Sequence, residues 1–151
     1  MIEPGKFTYR YPRPMVTVDA LLYTPGPQRQ VLLIKRAKDP FSSYWALPGG
    51  FVEIDETLEE AVMRELKEET GVEKVSLTQM HTFSAVDRDP RGRSISTVFW
   101  GETDPDLHDP AGADDADEAR WWPMEKPPPM AFDHAEILAW AAERLGDGEH
   151  P

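Results

Sequence analysis

GFVEIDETLEEAVMRELKEETGV, residues Gly50 to Val72, runs from a glycine turn into a helix crowded with acid. Thr57 and Glu60 form a T-x-x-E capping box, so the helix starts near Thr57 and satisfies two free N–H groups there. Gly71 is placed to end it in a left-handed conformation. The expected helix therefore covers about residues 57–70. Turning about 100° per residue from Leu58, Ala61, Val62 and Leu66 define an apolar face. Glu65 and Glu69 fall inside that face, Glu68 at its edge, and Glu59, Glu60, Arg64 and Lys67 away from it.

Carboxylates that share a direction with a core are costly unless paired or bound to metal. Glu68 and Glu69 also occupy the last turn, where the helix dipole favours cations. A divalent cation held beside the glycine turn resolves both conflicts. Its donors are carboxylate oxygens, and the chain contains no cysteine, so magnesium, with manganese as substitute, fits better than zinc. His81, His108, His134 and His150 show no zinc-ligand spacing, and His134 reads as a surface or capping residue.

Outward from this segment, Val16, Val18, Ala20 and Leu22 alternate as a strand, TPGPQRQ is a turn, and Val31–Ile34 is a buried strand pairing back as a hairpin. Trp45–Val52 reads as a short strand interrupted by Pro48, Gly49 and Gly50, where the backbone approaches something closely. Strands are expected near 74–86 and 94–102 around the turn DRDPRGR, and a short one at Ala119–Trp122 after an acidic loop. Alternation sends Trp121 and Trp122 to opposite faces. The last helix spans about 133–145, with Asp133 and Glu136 as a cap pair and Phe132 stapled to Ile137. Strands before, between and after two helices predict an α+β fold, an α/β/α sandwich, rather than a doubly wound sheet.

The chain has 151 residues, enough for one domain with one core; residues 1–14 read as an irregular extension and 146–151 as a disordered tail. A formal charge of −12 repels nucleic acid, and an anionic substrate needs a local cation. No apolar run approaches the roughly 18 residues of a membrane span. The N-terminal stretch MIEPGKFTYRYPRP lacks the apolar core of a signal peptide. A cytoplasmic protein with no nucleic-acid or membrane partner is the default reading. Its proline-rich start and surface tryptophans permit a homodimer.

Gly50, Glu56, Arg64, Glu65, Leu66, Glu68, Glu69, Gly71 and Val72 match every defined position of G-x5-E-x7-R-E-U-x-E-E-x-G-U, the Nudix box. The WALPGG lead-in, strand order and last helix also resemble that family. The resemblance implies a mixed sheet between helices and hydrolysis of a nucleoside diphosphate linked to another moiety. It implies magnesium ligation by Glu65, Glu68 and Glu69 with a backbone carbonyl near Gly49 or Gly50, and Glu56 as an outer ligand or brace. Arg64 would orient Glu68 or Glu56 by a salt bridge. The general base is Glu65 or, as in several members of the family, an acid from a later loop; of Asp114, Asp115, Asp117 and Glu118, Asp115 is chosen by its distance from Trp121.

VDRDPRGRSIS and AFDHAEIL resemble the soluble ADP-ribose pyrophosphatase branch, although Asp87 and Arg88 stand where that branch often carries a proline. Arg91 and Arg93 are candidates to grip a diphosphate or terminal phosphate. Tyr9, Tyr11, Phe41, Tyr44 and Trp45 are candidate adenine platforms; Trp45 reads rather as core. Hydrolysis of nucleoside triphosphates, dinucleotides or other sugar nucleotides is the alternative, and a nucleotide-sensing module without catalysis is a further one. Isopentenyl-diphosphate isomerase chemistry on this fold relies on a cysteine that the chain lacks.

Overall fold

A computed structural model describes residues 7–110 and 116–146. The elements run β1 (Met15–Tyr23), β2 (Gln30–Arg36), β3 (Trp45–Ala46), β4 (Gly49–Phe51), α1 (Leu58–Thr70), β5 (Thr78–Phe83), β6 (Ser94–Glu102), a 3-10 turn (Pro105–Leu107), β7 (Ala116–Pro123) and α2 (His134–Gly146). Among the described residues, seven strands form one mixed sheet, with β3-β2-β1-β6-β5 as its backbone, β4 added to β1 and β7 to β2. β1 and β6 pair in parallel from Met15↔Ser94 to Tyr23↔Glu102. The remaining ladders are antiparallel.

Period-2 alternation splits the core into two layers. Val18, Ala20 and Leu22 of β1 meet Ala61, Val62 and Leu66 of α1 on one face. Leu21 and Tyr23 meet Ile137, Leu138 and Ala141 of α2 on the other. This is the expected α/β/α sandwich. Trp121 packs into the first layer and Trp122 into the second, as alternation requires.

The stretch Trp45–Val52 becomes two strands rather than one. β3 pairs with β2 and β4 with β1. Pro48 has no N–H to continue a ladder, but its carbonyl accepts from Ala20 N at 2.7 Å. The chain thereby crosses between two neighbours at the point that carries the glycines. β7, at Ala116–Pro123, is longer than expected because β2 offers it a matching edge from Gln30 to Arg36. β5 is shorter than 74–86, covering Thr78–Phe83.

The start of α2 differs from its sequence reading. Both carboxylate oxygens of Asp133 receive the Arg88 guanidinium, at 2.7 and 2.9 Å, so Asp133 serves a tertiary ion pair instead of pairing with Glu136 as a cap. Phe132 has φ of 53°, which turns its ring into the α1-side layer, whereas Ile137 lies in the α2-side layer, so no staple forms. His134 is buried rather than superficial.

Candidate functional site

The capping box closes as the sequence requires: Glu60 N donates to Thr57 Oγ1 at 3.1 Å and Thr57 N to Glu60 Oε1 at 2.9 Å. Gly71 ends α1 at φ 80°, its N–H on the Lys67 carbonyl. With both ends fixed, the rotational phase of α1 is fixed, and Glu65 and Glu69 point at the glycine turn. Glu69 is 8% exposed and accepts from Gly49 N at 2.7 Å. The Glu65 carboxylate lies against Gly50 so closely that a Cβ there would stand 2.6 Å from its carboxyl carbon. Glu68 is at the rim, its side chain 45% exposed.

Arg64 braces this group. Its Nε and Nη2 fork onto Glu56, Nη1 reaches Glu65 at 2.9 Å and Glu68 at 3.2 Å, and Nη2 also donates to the Phe51 carbonyl. These bonds hold the Glu56 carboxyl below its ordinary range and the Arg64 guanidinium above its own. Burial pushes Glu65 up against the opposing pull of Arg64, with Glu68 and Glu56 adding repulsion. Burial pushes Glu69 up to about 9 despite its bond from Gly49, and Glu65 and Asp19 add to the effect.

Among the described residues, no three acid or histidine side chains enclose an ion-sized space by themselves, since Arg64 stands between Glu65 and Glu68. The donor chemistry nevertheless fits a hard divalent cation. The donors are carboxylate oxygens beside the cavity-lining backbone of Gly50, and one cationic group already bridges two of the acids. Glu65, Glu68, Glu69 and the Gly49–Gly50 carbonyls are the residues that would hold it.

The acids form one wall of a cavity of about 1040 Å³. Beneath the glycine turn lies a buried polar trio, Asp19, Ser96 and the His134 that read as a surface or capping residue in sequence. Asp19 accepts from Ser96 Oγ at 2.5 Å and stands 3.8 Å from His134 Nε2. His134 Nδ1 accepts from Leu47 N at 3.0 Å, which fixes the ring as neutral with its proton on Nε2. Burial lowers the His134 pKa, and Asp19 opposes that shift. An aspartate in a mostly apolar strand was the available signal for Asp19, and His134 was marked by its place in AFDHAEIL.

The same cavity is also lined by Arg88, Asp89, Arg91 and Phe132. Arg93 does not line it; its guanidinium donates to the Ala85 and Ser94 carbonyls. Tyr11 is 67% exposed and also lies outside the lining. Phe41 is turned away, edge-on to Phe132 at 5.0 Å between ring centroids, so Phe132 rather than Phe41 faces the cavity. Trp45 is core. Asp114 and Asp115 lie outside the described residues.

A family model described as NUDIX domain matches residues 13–141. The chain is similar to ADP-ribose pyrophosphatase of Methanocaldococcus jannaschii, 44% identical over 133 residues that make up 85% of this chain and 73% of that protein. It is also similar to the ADPR responsive transcriptional repressor NtrR of Acinetobacter baylyi, 34% identical across 91% of this chain, but it spans only 56% of that longer protein. Among solved structures, the NUDIX domain of Shewanella oneidensis NrtR complexed with ADP ribose superposes with a TM-score of 0.80 at 33% identity, covering 95% of this chain and 94% of that one. A model match over most of its length, a relative this similar and the capped acidic helix against a glycine turn agree: the chain belongs to the NUDIX domain family.

Proposed function

We propose that this chain hydrolyses a nucleoside diphosphate linked to another moiety, with ADP-ribose as substrate and AMP and ribose 5-phosphate as products. The observation that carries the reading is half-buried Glu65 and buried Glu69 at the glycine turn with Arg91 lining the same cavity. Likeness to an ADP-ribose pyrophosphatase and to an ADP-ribose complex supports the choice of substrate. Magnesium, or manganese in its place, would be held by Glu65, Glu68 and Glu69, and when bound supplies charge neutralisation on the diphosphate and an acidified water.

The protein's own groups do the rest. Arg91 binds an anionic oxygen of the substrate and so fixes which phosphorus faces the acids. Glu65 Oε1 is held by Arg64, which leaves Oε2 to take the proton of the attacking water. Asp115 is the second candidate for that proton. Asp19, Ser96 and His134 hold the floor of the glycine turn from below.

Incubation with ADP-ribose and magnesium, followed by detection of AMP, tests the reading. Release of AMP at turnover rates supports it. Absence of AMP at micromolar enzyme, with cleavage of a triphosphate or dinucleotide under the same conditions, moves the substrate to the alternative class. Likeness to NtrR supports a second reading, ADP-ribose binding without turnover, and tight binding with no product in excess metal would establish it. No helix among the described residues is long and apolar enough to cross a membrane. A single domain, a cytoplasmic location and a homodimer belong to the same proposal.

A further inference from the structure

One wall of the cavity is a connection, residues 84–93, and its anchor is buried. The Arg88 side chain is 4% exposed and forks onto Asp133, 10% exposed, while its Nη1 donates to Ser94 Oγ at 3.0 Å. An apolar pair of equal volume would stabilise the fold at least as well as a buried ion pair. What the fork adds is a single permitted orientation. The next residue, Asp89, has a side chain 4% exposed. Its carboxylate receives Arg91 three times, from the backbone N at 2.9 Å, from Nε at 3.1 Å and from Nη2 at 2.8 Å. The Arg91 guanidinium then lies over the rings of Phe51 and Phe132, 5.2 and 5.1 Å from their centroids. Phe132 directly precedes Asp133. The start of α2 therefore supplies both the anchor of the connection and one ring beneath the cation that the connection carries.

The geometry points to the buried Arg88–Asp133 pair as a positioning device that presents the Arg91 guanidinium to an anionic group of the substrate. Arg88 is a positioning residue, acting through Asp89 and Arg91. The inference rests on the proposed function only for the nature of the ligand.

Arg88→Lys keeps the charge and removes the fork; Asp133→Asn keeps the shape and removes the charge. Two measurements read the consequence. Without substrate, the Arg91 Nε–H proton, held on Asp89, exchanges slowly with water in the wild-type protein and about tenfold faster or more in either variant. With ADP-ribose and magnesium, KM rises roughly tenfold while kcat stays within about threefold, since the lost contact is to bound substrate. Adding Arg91→Ala to Arg88→Lys then raises KM no further than Arg91→Ala alone. Unchanged Arg91 exchange in a folded variant, or fully additive effects of the two substitutions, overturns the inference. A merely structural role would lower Tm and leave both the exchange rate and the KM-to-kcat split in place. Should Arg88→Lys fail to fold, Asp133→Asn and the milder Ser94→Ala carry the same readouts. Should the wild type release no AMP, the functional reading fails by itself, and the exchange measurement still decides the positioning role.

Discussion

Gly49 and Gly50 are adjacent, yet alanine at each should do opposite things. The three atoms nearest a Cβ on Gly50 are all at the end of the Glu65 side chain, 2.6 Å for the carboxyl carbon and 2.6 and 2.8 Å for its oxygens. Ordinary contact begins near 3.4 Å, so the carboxylate must retreat by roughly 0.8 Å, which its rotatable side chain allows. Gly50 does not have a positive φ among the described residues, and alanine in a strand costs no backbone strain. Stability of Gly50→Ala should therefore stay within about 1 kcal/mol of wild type. Activity should not, because displacing a reacting group by about 1 Å costs on the order of 100-fold in rate. A Cβ on Gly49 meets the Val18 carbonyl oxygen at 2.2 Å and Asp19 Oδ1 at 2.4 Å. Neither β1 backbone nor a buried carboxylate bonded to Ser96 can retreat, and Gly49→Ala should lose about 1–3 kcal/mol or more. Urea unfolding and steady-state kinetics on the two variants read both halves. A Gly50→Ala enzyme with wild-type kcat would remove Glu65 from the reaction; a Gly49→Ala protein as stable as wild type would refute the close approach of β4 to β1.

Glu69→Gln keeps the acceptor for Gly49 N and removes the cost of holding a buried carboxyl protonated at a pH where the unfolded chain ionises it, so the metal-free protein should melt higher at pH 8 than wild type, and the rise in Tm on adding magnesium should vanish; a retained rise excludes Glu69 as a ligand. Thr57→Ala opens the capping box and should lower stability by about 1 kcal/mol with an unchanged urea m-value. His134 has a depressed folded pKa, so its contribution is present above the unfolded value near 6.5 and is lost as pH falls toward the folded value. Below pH 6.5 the wild type should lose more stability than His134→Asn, whose Oδ1 can still accept from Leu47 N; equal losses would show that His134 titrates normally.

The helix of the acidic segment was legible because every determinant is local. Thr57 and Glu60 start it, Gly71 stops it, and 3.6-residue periodicity turns Glu65 and Glu69 inward. Strand alternation likewise placed Trp121 and Trp122 on opposite faces. The start of α2 misled the local reading for the converse reason. Asp133 in sequence is a cap residue, but an Arg88 guanidinium 45 residues away offers a charged fork, a stronger interaction than a capping N–H. Phe41 and Tyr11 have the right chemistry for a base platform, yet the fold turns one into Phe132 and leaves the other on the surface.

What the sequence determined alone is a family, a capped helix and a set of acids with a defined phase, since these depend on contacts within one or two turns. The tertiary structure decided the rest of the cavity. Asp19 from β1, His134 from α2 and Arg91 on the connection anchored by Arg88 meet there only because a parallel β1–β6 pair and a sandwiching α2 bring distant segments together. Long-range burial, unlike capping, leaves no spacing to read along the chain.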